Sequence, residues 1–402
     1  MRLSGPMRPL ETIGALTAFE RRGPGTDAER RAARWLAGEL IAQRHRVRIE
    51  TFWCRPNWAL AHAWHVALAL VGSLLSPSHP TVGAILLAIA LAAILMDEVT
   101  GISPGRRLTP ERASQNVVAT VRQPGSDEIG RTRLIVTANY DAGRTALVYR
   151  DALRRPAAAL RRLAGPLALG WLAWLSVAIA WLLALAIIRM ATHHASTALG
   201  VVQLPPTVAL VLGLAFLLEA AGAGFGPGAS HNASGVAVAI ELAHLIVAAP
   251  PANLDLELVL SGAGAGGEIG LHRYLKARRR TLKRSDTIVL GVGPCGGGSV
   301  HYWVSDGRLI PLRYARSLQP PASTGESHAA QPVRTRGSAP AFAARARGLT
   351  AVATGCLDGH GLPPRSHQHA DVPKSVDEAA LDHTLDYVQL VVNQLDASLT
   401  PA

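Results

Sequence analysis

Apolar residues along this chain fall into distinct patterns, and each pattern predicts a different element. Thr26–Leu40 (TDAERRAARWLAGEL) puts Ala33, Leu36 and Leu40 on one face behind a capping Thr26 or Asp27, which predicts an amphipathic helix. Arg46–Phe52 alternates as a strand does. Gln115–Val121, Arg133–Thr137, Leu254–Leu260, Thr287–Val292 and Leu349–Thr354 are short runs that read as strands. Helical stretches stand among them at Arg150–Arg162, at the end of Gly226–Leu245, at Leu271–Arg280 and at Val376–Leu395. Strands alternating with helices predict an α/β domain, with a mostly parallel twisted sheet flanked by helices.

Four longer apolar runs interrupt this rhythm: Trp58–Leu75, Val82–Met96, Leu167–Ile188 and Thr207–Leu218. They predict two transmembrane helical hairpins, over 57–97 and 165–222, inserted into an α/β domain made of 1–56, 113–150 and 224–402. Two of the runs fall short of the roughly 20 residues that a full span needs. A buried helical hairpin of a soluble core would show the same signature. The tips of the hairpins carry no Lys or Arg in the first and only Arg189 in the second. The base of the second carries Arg150, Arg154, Arg155, Arg161 and Arg162. The positive-inside rule then predicts a multi-pass protein of the cell (inner) membrane with the α/β domain in the cytoplasm. Gln319–Ser338, rich in Pro, Ser, Gly and Ala, reads as a surface loop.

Composition agrees with a membrane setting. Of 402 residues, 49% are hydrophobic and only 17% charged, below the quarter or so usual in soluble domains. The formal net charge of +12 could signal nucleic acid, but aromatics make up 5% and no nucleic-acid-reading motif is present. A membrane is therefore the expected partner, and nucleic acid is not. Cys54, Cys295 and Cys356 have no metal or redox spacing, which predicts a reducing compartment. The opening MRLSGPMRPLETIGAL lacks the apolar core of a signal peptide.

Candidate chemistry sits in loops between the elements. Gly226–Leu245 (GPGASHNASGVAVAIELAHL) presents His231 at a helix N-terminus. Asn139-Tyr140-Asp141-Ala142 follows a strand, Gly267-Glu268-Ile269-Gly270-Leu271 follows a glycine-rich turn, and His367-Gln368-His369-Ala370-Asp371 comes late. In this order and spacing the series resembles the co-catalytic di-zinc aminopeptidases of the bacterial leucyl aminopeptidase and aminopeptidase Y type, whose fold glutaminyl cyclases share. The resemblance covers residues 15–56, 113–145 and 224–398.

The resemblance implies two zinc sites built from a His, a bridging Asp, a Glu, an Asp and a late His. Those positions are Asn139, His231, Glu268, Gly291 and His367 here. The position of the general base is Gly267, and the Asp that orients the first His is Asp141. One zinc site is therefore expected to be lost. The other is expected to hold a single zinc on His231, Glu268 and His367, with His360 and His369 as supporting groups or alternative ligands. His369 or Asp371 could replace the lost base. Two functions follow: a catalytically impaired, membrane-anchored peptidase homologue that binds a membrane protein or a peptide, or a membrane-associated mono-zinc peptidase or amidohydrolase.

Overall fold

The computed structural model describes residues 7–100, 103–121, 131–165, 170–192, 197–307, 310–315 and 330–399. Most of the loop expected at Gln319–Ser338, the start of the run at Leu167–Ile188, and His193 and His194 lie outside the described residues.

The chain opens with helices α1 (Pro9–Thr17) and α2 (Asp27–Ala42). The Thr26 hydroxyl caps α2 by accepting from the Glu29 N–H at 3.2 Å. Strand β1 (Arg46–Cys54) leads to α3 (Trp58–Leu75), α4 (Pro80–Thr100) and the single turn α5 (Pro104–Arg107). Strands β2 (Arg112–Thr120) and β3 (Thr132–Asn139) precede α6 (Asp151–Ala164), α7 (Trp171–Thr192), α8 (Thr197–Gly222) and α9 (Ser234–Ala248). The chain then runs through β4 (Leu254–Ser261), α10 (Ile269–Ala277), β5 (Thr287–Val292), β6 (Ser299–Asp306), β7 (Leu312–Arg313), β8 (Gln331–Arg334), α11 (Phe342–Ala346), β9 (Thr350–Leu357) and α12 (Glu378–Leu399).

The nine strands among the described residues join one sheet in the order β1-β2-β4-β3-β5-β9-β6-β7, with β8 on β6. The α/β architecture is the expected one. The centre β4-β3-β5-β9 is parallel, and it is flanked by antiparallel pairs at β1-β2, β2-β4, β9-β6 and β6-β7. The sheet is thus mixed. The parallel centre was legible because β3, β5 and β9 are apolar and buried on both faces. Strand β6 (SVHYWVSD) was missed because its His, Ser and Asp break the apolar run. Helices α1, α2, α9 and α12 cover one face around Ile13, Leu36, Val236 and Val388. Helices α10 and α11 cover the other around Leu271 and Ala343.

Helices α3, α4, α7 and α8 share a separate apolar cluster centred on Val66, Leu87, Ile179 and Leu210. The two short runs become longer helices than the apolar count suggested. Helix α4 runs on past Met96 through Asp97 and Glu98, and α8 starts before Pro205 and Pro206. These four helices and Ala229–Ala248 are long and apolar enough to cross a membrane. The fifth lies in the core beneath the sheet, where Val236, Ala239 and Leu242 are fully buried. The other four turn Trp64, Leu74, Ile85, Trp174, Val201 and Leu212 outward.

Their interior is not purely apolar. Asp97 is 4% exposed and accepts from Arg106 Nε at 2.7 Å and Nη2 at 3.1 Å, with His62 Nε2 3.4 Å away. Near the tips, Arg189 donates to Ser76 Oγ at 2.9 Å and Gln203 to Ser73 O at 2.7 Å. A buried ion pair that loses one partner leaves an uncompensated charge. Asp97→Ala is therefore expected to destabilise the folded protein by about 3–5 kcal/mol. Thermal unfolding in detergent checks this, and an unchanged melting temperature would refute the buried pair.

Candidate functional site

The parallel strands β4, β3, β5 and β9 all end on one edge of the sheet, where α/β folds gather ligand-binding loops. Asn139 is the last residue of β3, and Asp141 follows two residues later. The segment Gly262–Gly267 leaves β4, and the loop 358–371 leaves β9. Ala229–Ala233 forms one π-helical turn ahead of α9, a wide turn frequent at functional positions. His231 sits in the middle of it.

The structure brings the His231 and His367 rings together, with centroids 4.6 Å apart and planes tilted by 51°. His231 Nδ1 pairs with Ser366 Oγ at 2.8 Å. His367 Nδ1 lies 3.1 Å from the Arg144 carbonyl, so it carries the proton there. Tyr149 stacks on the other side of His367, with centroids 4.2 Å apart and planes 16° apart. Burial holds both rings neutral. It pushes His231 well below the ordinary histidine value and His367 down to about 4. The His367 backbone has φ +60°, a left-handed conformation that is costly for a residue with a side chain.

The third expected ligand does not join them. Glu268, also left-handed at φ +55°, is buried and accepts from the Ala343 N–H at 2.8 Å on the α11 side. Among the described residues, no three His, Cys, Asp or Glu side chains gather in a way that could hold a metal ion. Asp371 is engaged elsewhere: its carboxylate accepts from the Ser230 N–H at 2.6 Å and the His231 N–H at 3.2 Å. It fixes the His231 turn. His369 Nε2 pairs with Thr145 Oγ1 at 3.2 Å on the exposed side of the loop. His360 lines the cleft.

The lost ligand positions are filled by packing. A Cβ built on Gly291 would meet Ala341 N and the Pro340 carbonyl carbon at 2.6 Å, so backbone occupies the space an Asp side chain would need. The Asn139 side chain packs directly on Gly264. Asp141 is fully buried and accepts from Gly264 N at 2.8 Å and Ala265 N at 2.9 Å. Gly267 takes φ +109°, a conformation that favours glycine, at the position resembling the general base.

Several of these residues line a cleft of about 1380 Å³. His231, His367, Asn139 and Gly267 line one part of it; Trp58, Tyr149, Trp171, Trp303 and Tyr314 add aromatic wall. Trp303, from strand β6 that sequence reasoning missed, and Tyr314, just after β7, belong to a wall built on Asp306. Asp306 accepts from Thr335 Oγ1 at 2.6 Å, from Gly337 N at 2.9 Å and from Ala339 N. The sequence signal for this wall was the aromatic pair in Tyr302-Trp303 opposite a glycine-rich segment.

No protein-family model matches the chain, and no curated protein matches it. Solved structures do. An aminopeptidase from Aneurinibacillus sp. strain AM-1 is 14% identical, with 96% of this chain and 92% of that one covered and a TM-score of 0.53. A zinc aminopeptidase from Bacillus subtilis is 12% identical over 98% and 96%, with a TM-score of 0.53. A glutaminyl cyclase from Bacteroides thetaiotaomicron is 13% identical over 96% and 96%, with a TM-score of 0.51. The chain has the fold of these enzymes. Within this aminopeptidase fold, the donor set present does not fit zinc: two neutral imidazoles converge, and catalytic zinc sites ordinarily take three protein ligands.

Two outcomes are expected. Gly291→Asp cannot rebuild a ligand, since its side chain has no room beside Pro340 and Ala341. It should lower stability by about 1–3 kcal/mol without adding metal affinity, as thermal unfolding and metal titration would show. Glu29 is raised to about 8, first by burial and then by Asp141. Its folded value exceeds its unfolded one, so its ionisation costs stability as pH rises towards 8. The neutral histidines oppose the raised carboxylates only below about pH 6.5, where free imidazole titrates. The melting temperature should therefore fall between about pH 6.5 and 8.5, and Glu29→Gln should flatten that slope.

Proposed function

We propose that this protein is a membrane-embedded binding module on an aminopeptidase fold, which recognises its ligand in the cleft without hydrolysing it. The observation that carries this reading is the His231–His367 pair without a converging carboxylate. Hydrolysis of an amide asks for an activated water and a proton acceptor. Glycine at 267 has no side chain to accept a proton, and general-base assistance is worth about 10²–10⁴ in rate. Asp371 and His369, the two candidate replacements, are bonded to the His231 turn and to Thr145.

Membrane insertion rests on the outward apolar faces of α3, α4, α7 and α8. In water such a surface would be a large exposed patch. The arginines at the base of the second hairpin support a sheet on the cytoplasmic side of the cell membrane. Because Trp58, Trp171 and Leu172 line the cleft at the first turns of α3 and α7, the ligand reaches the site at the membrane surface.

A second reading, a mono-zinc hydrolase, draws on His367 alone. An imidazole that donates Nδ1–H to a carbonyl is oriented as metal-bound histidines are. It requires a third donor that His231 and His367 do not supply.

Metal analysis and turnover assays on the detergent-purified protein separate the two. The binding reading expects zinc far below one equivalent and no hydrolysis of aminoacyl anilides or dipeptides, with zinc added or absent. Stoichiometric zinc and measurable turnover, both abolished in His231→Ala, would overturn it.

A further inference from the structure

The cleft carries a charge pattern that the aminopeptidase fold does not require. Arg161 and Arg162 from α6, Arg313 from β7, Arg334 from β8 and Arg336 beyond it all line the cleft. Among the described lining residues there is no Asp, Glu or Lys. None of Arg161, Arg162, Arg313 and Arg334 has a carboxylate within salt-bridge distance among the described residues. Arg162 donates to the Gly359 carbonyl at 2.5 Å, which fixes its side chain at the rim. Arg161 is half-buried, and burial pushes its pKa down. The guanidinium groups of Arg161, Arg162, Arg313 and Arg334, gathered in a concave wall with no carboxylate in salt-bridge distance among the described residues, make a field that draws in anions, and their planar forks match phosphate oxygens.

The opposite wall is the membrane side of the protein. Trp58 and Trp171 meet edge to face with centroids 6.1 Å apart, and Leu172 and Ala173 follow on α7. Helix α6 connects the two walls. It carries Arg154, Arg155, Arg161 and Arg162 on its polar side, while Leu153, Leu160 and Leu163 are 45%, 68% and 86% exposed. Basic residues beside a row of exposed leucines are the signature of a helix lying in the headgroup layer.

We propose that the cleft binds an acidic membrane phospholipid, its phosphate among Arg161, Arg162 and Arg334 and its acyl chains leaving along α7. This rests on the non-hydrolytic reading above and names the ligand of the same site. A lipid explains both walls at once, since a soluble anion would use the arginines and leave the tryptophan side idle.

The test uses the full chain in mild detergent, read by tryptophan fluorescence, because Trp58, Trp171 and Trp303 line the cleft. Short-chain phosphatidylglycerol should give a saturable change, whereas short-chain phosphatidylcholine and inorganic phosphate at the same concentration should not. Arg161→Gln/Arg334→Gln should weaken binding roughly ten- to hundredfold, and Arg34→Gln on exposed α2 should leave it unchanged. If the double variant does not fold, the single Arg334→Gln on the exposed strand should still weaken binding, and raised salt should weaken that of the unaltered protein. Binding of phosphatidylcholine, or of phosphate or an acidic peptide as tightly as of phosphatidylglycerol, would overturn the proposal. So would unchanged binding in a folded arginine variant, or no lipid response at all. Should lipid binding fail while zinc and turnover are both absent, the non-hydrolytic reading survives. Turnover would overturn that reading whatever the lipid does.

Discussion

Three buried carboxylates surround one buried guanidinium, and the loops of the cleft hang on them. Arg22 is 1% exposed and donates to the Tyr140 carbonyl at 2.5 Å, to Leu16 O and, at 3.3 Å, to Pro227 O. It ties α1, the end of β3 and the loop before α9 together. Asp141, Asp371 and Glu29 each accept from backbone N–H groups: Gly264 and Ala265, then Ser230 and His231, then Gly25 and Ala263. A charge taken out of water must be paired and hydrogen-bonded. The positive potential of Arg22 lets three acids stay close together, and the amides they recruit set the path of each loop. Asp141 and Asp371 are nonetheless raised to about 6 by burial, and Glu29 to about 8, so the arrangement is held under electrostatic tension.

That clasp keeps the shape of an aminopeptidase cleft while the contents differ. Asp141 keeps its place at the end of β3, and its hydrogen bonds go to backbone instead of to an imidazole. Backbone from Pro340–Ala341 fills the space beside Gly291. Glu268 turns to Ala343. What stays open is a His pair, an aromatic wall and a row of arginines.

The two hairpins alter the physics of the same site. Trp58 and Trp171 open α3 and α7, touch each other and line the cleft, so the apolar bundle begins at the cleft wall. Inside the bundle, Arg106 donates to Asp97 and the Gln203 amide nitrogen to Ser73 O, so these polar groups are paired in a low-dielectric interior. These bonds tie α5 to α4 and α8 to α3.

Much of the fold was legible from local patterns. The spans of α3 and β5 and the cap at Thr26 follow from periodicity and residue type, because burial on one face or both imposes those patterns directly. The order of the loop residues from Asn139 to Asp371 was also written in the chain. The pairing of His231 with His367 agrees with that order. The departure of Glu268 could not be read from it, since a side chain's direction depends on the backbone conformation of its turn and on the amide it finds. The antiparallel flank of β6, the filling of Gly291 and the bonds of Asp371 were likewise decided by contacts between residues far apart in sequence. So was the gathering of five arginines from α6, β7, β8 and the segment after it, because only the tertiary fold brings the helix that precedes the second hairpin against strands more than a hundred residues later.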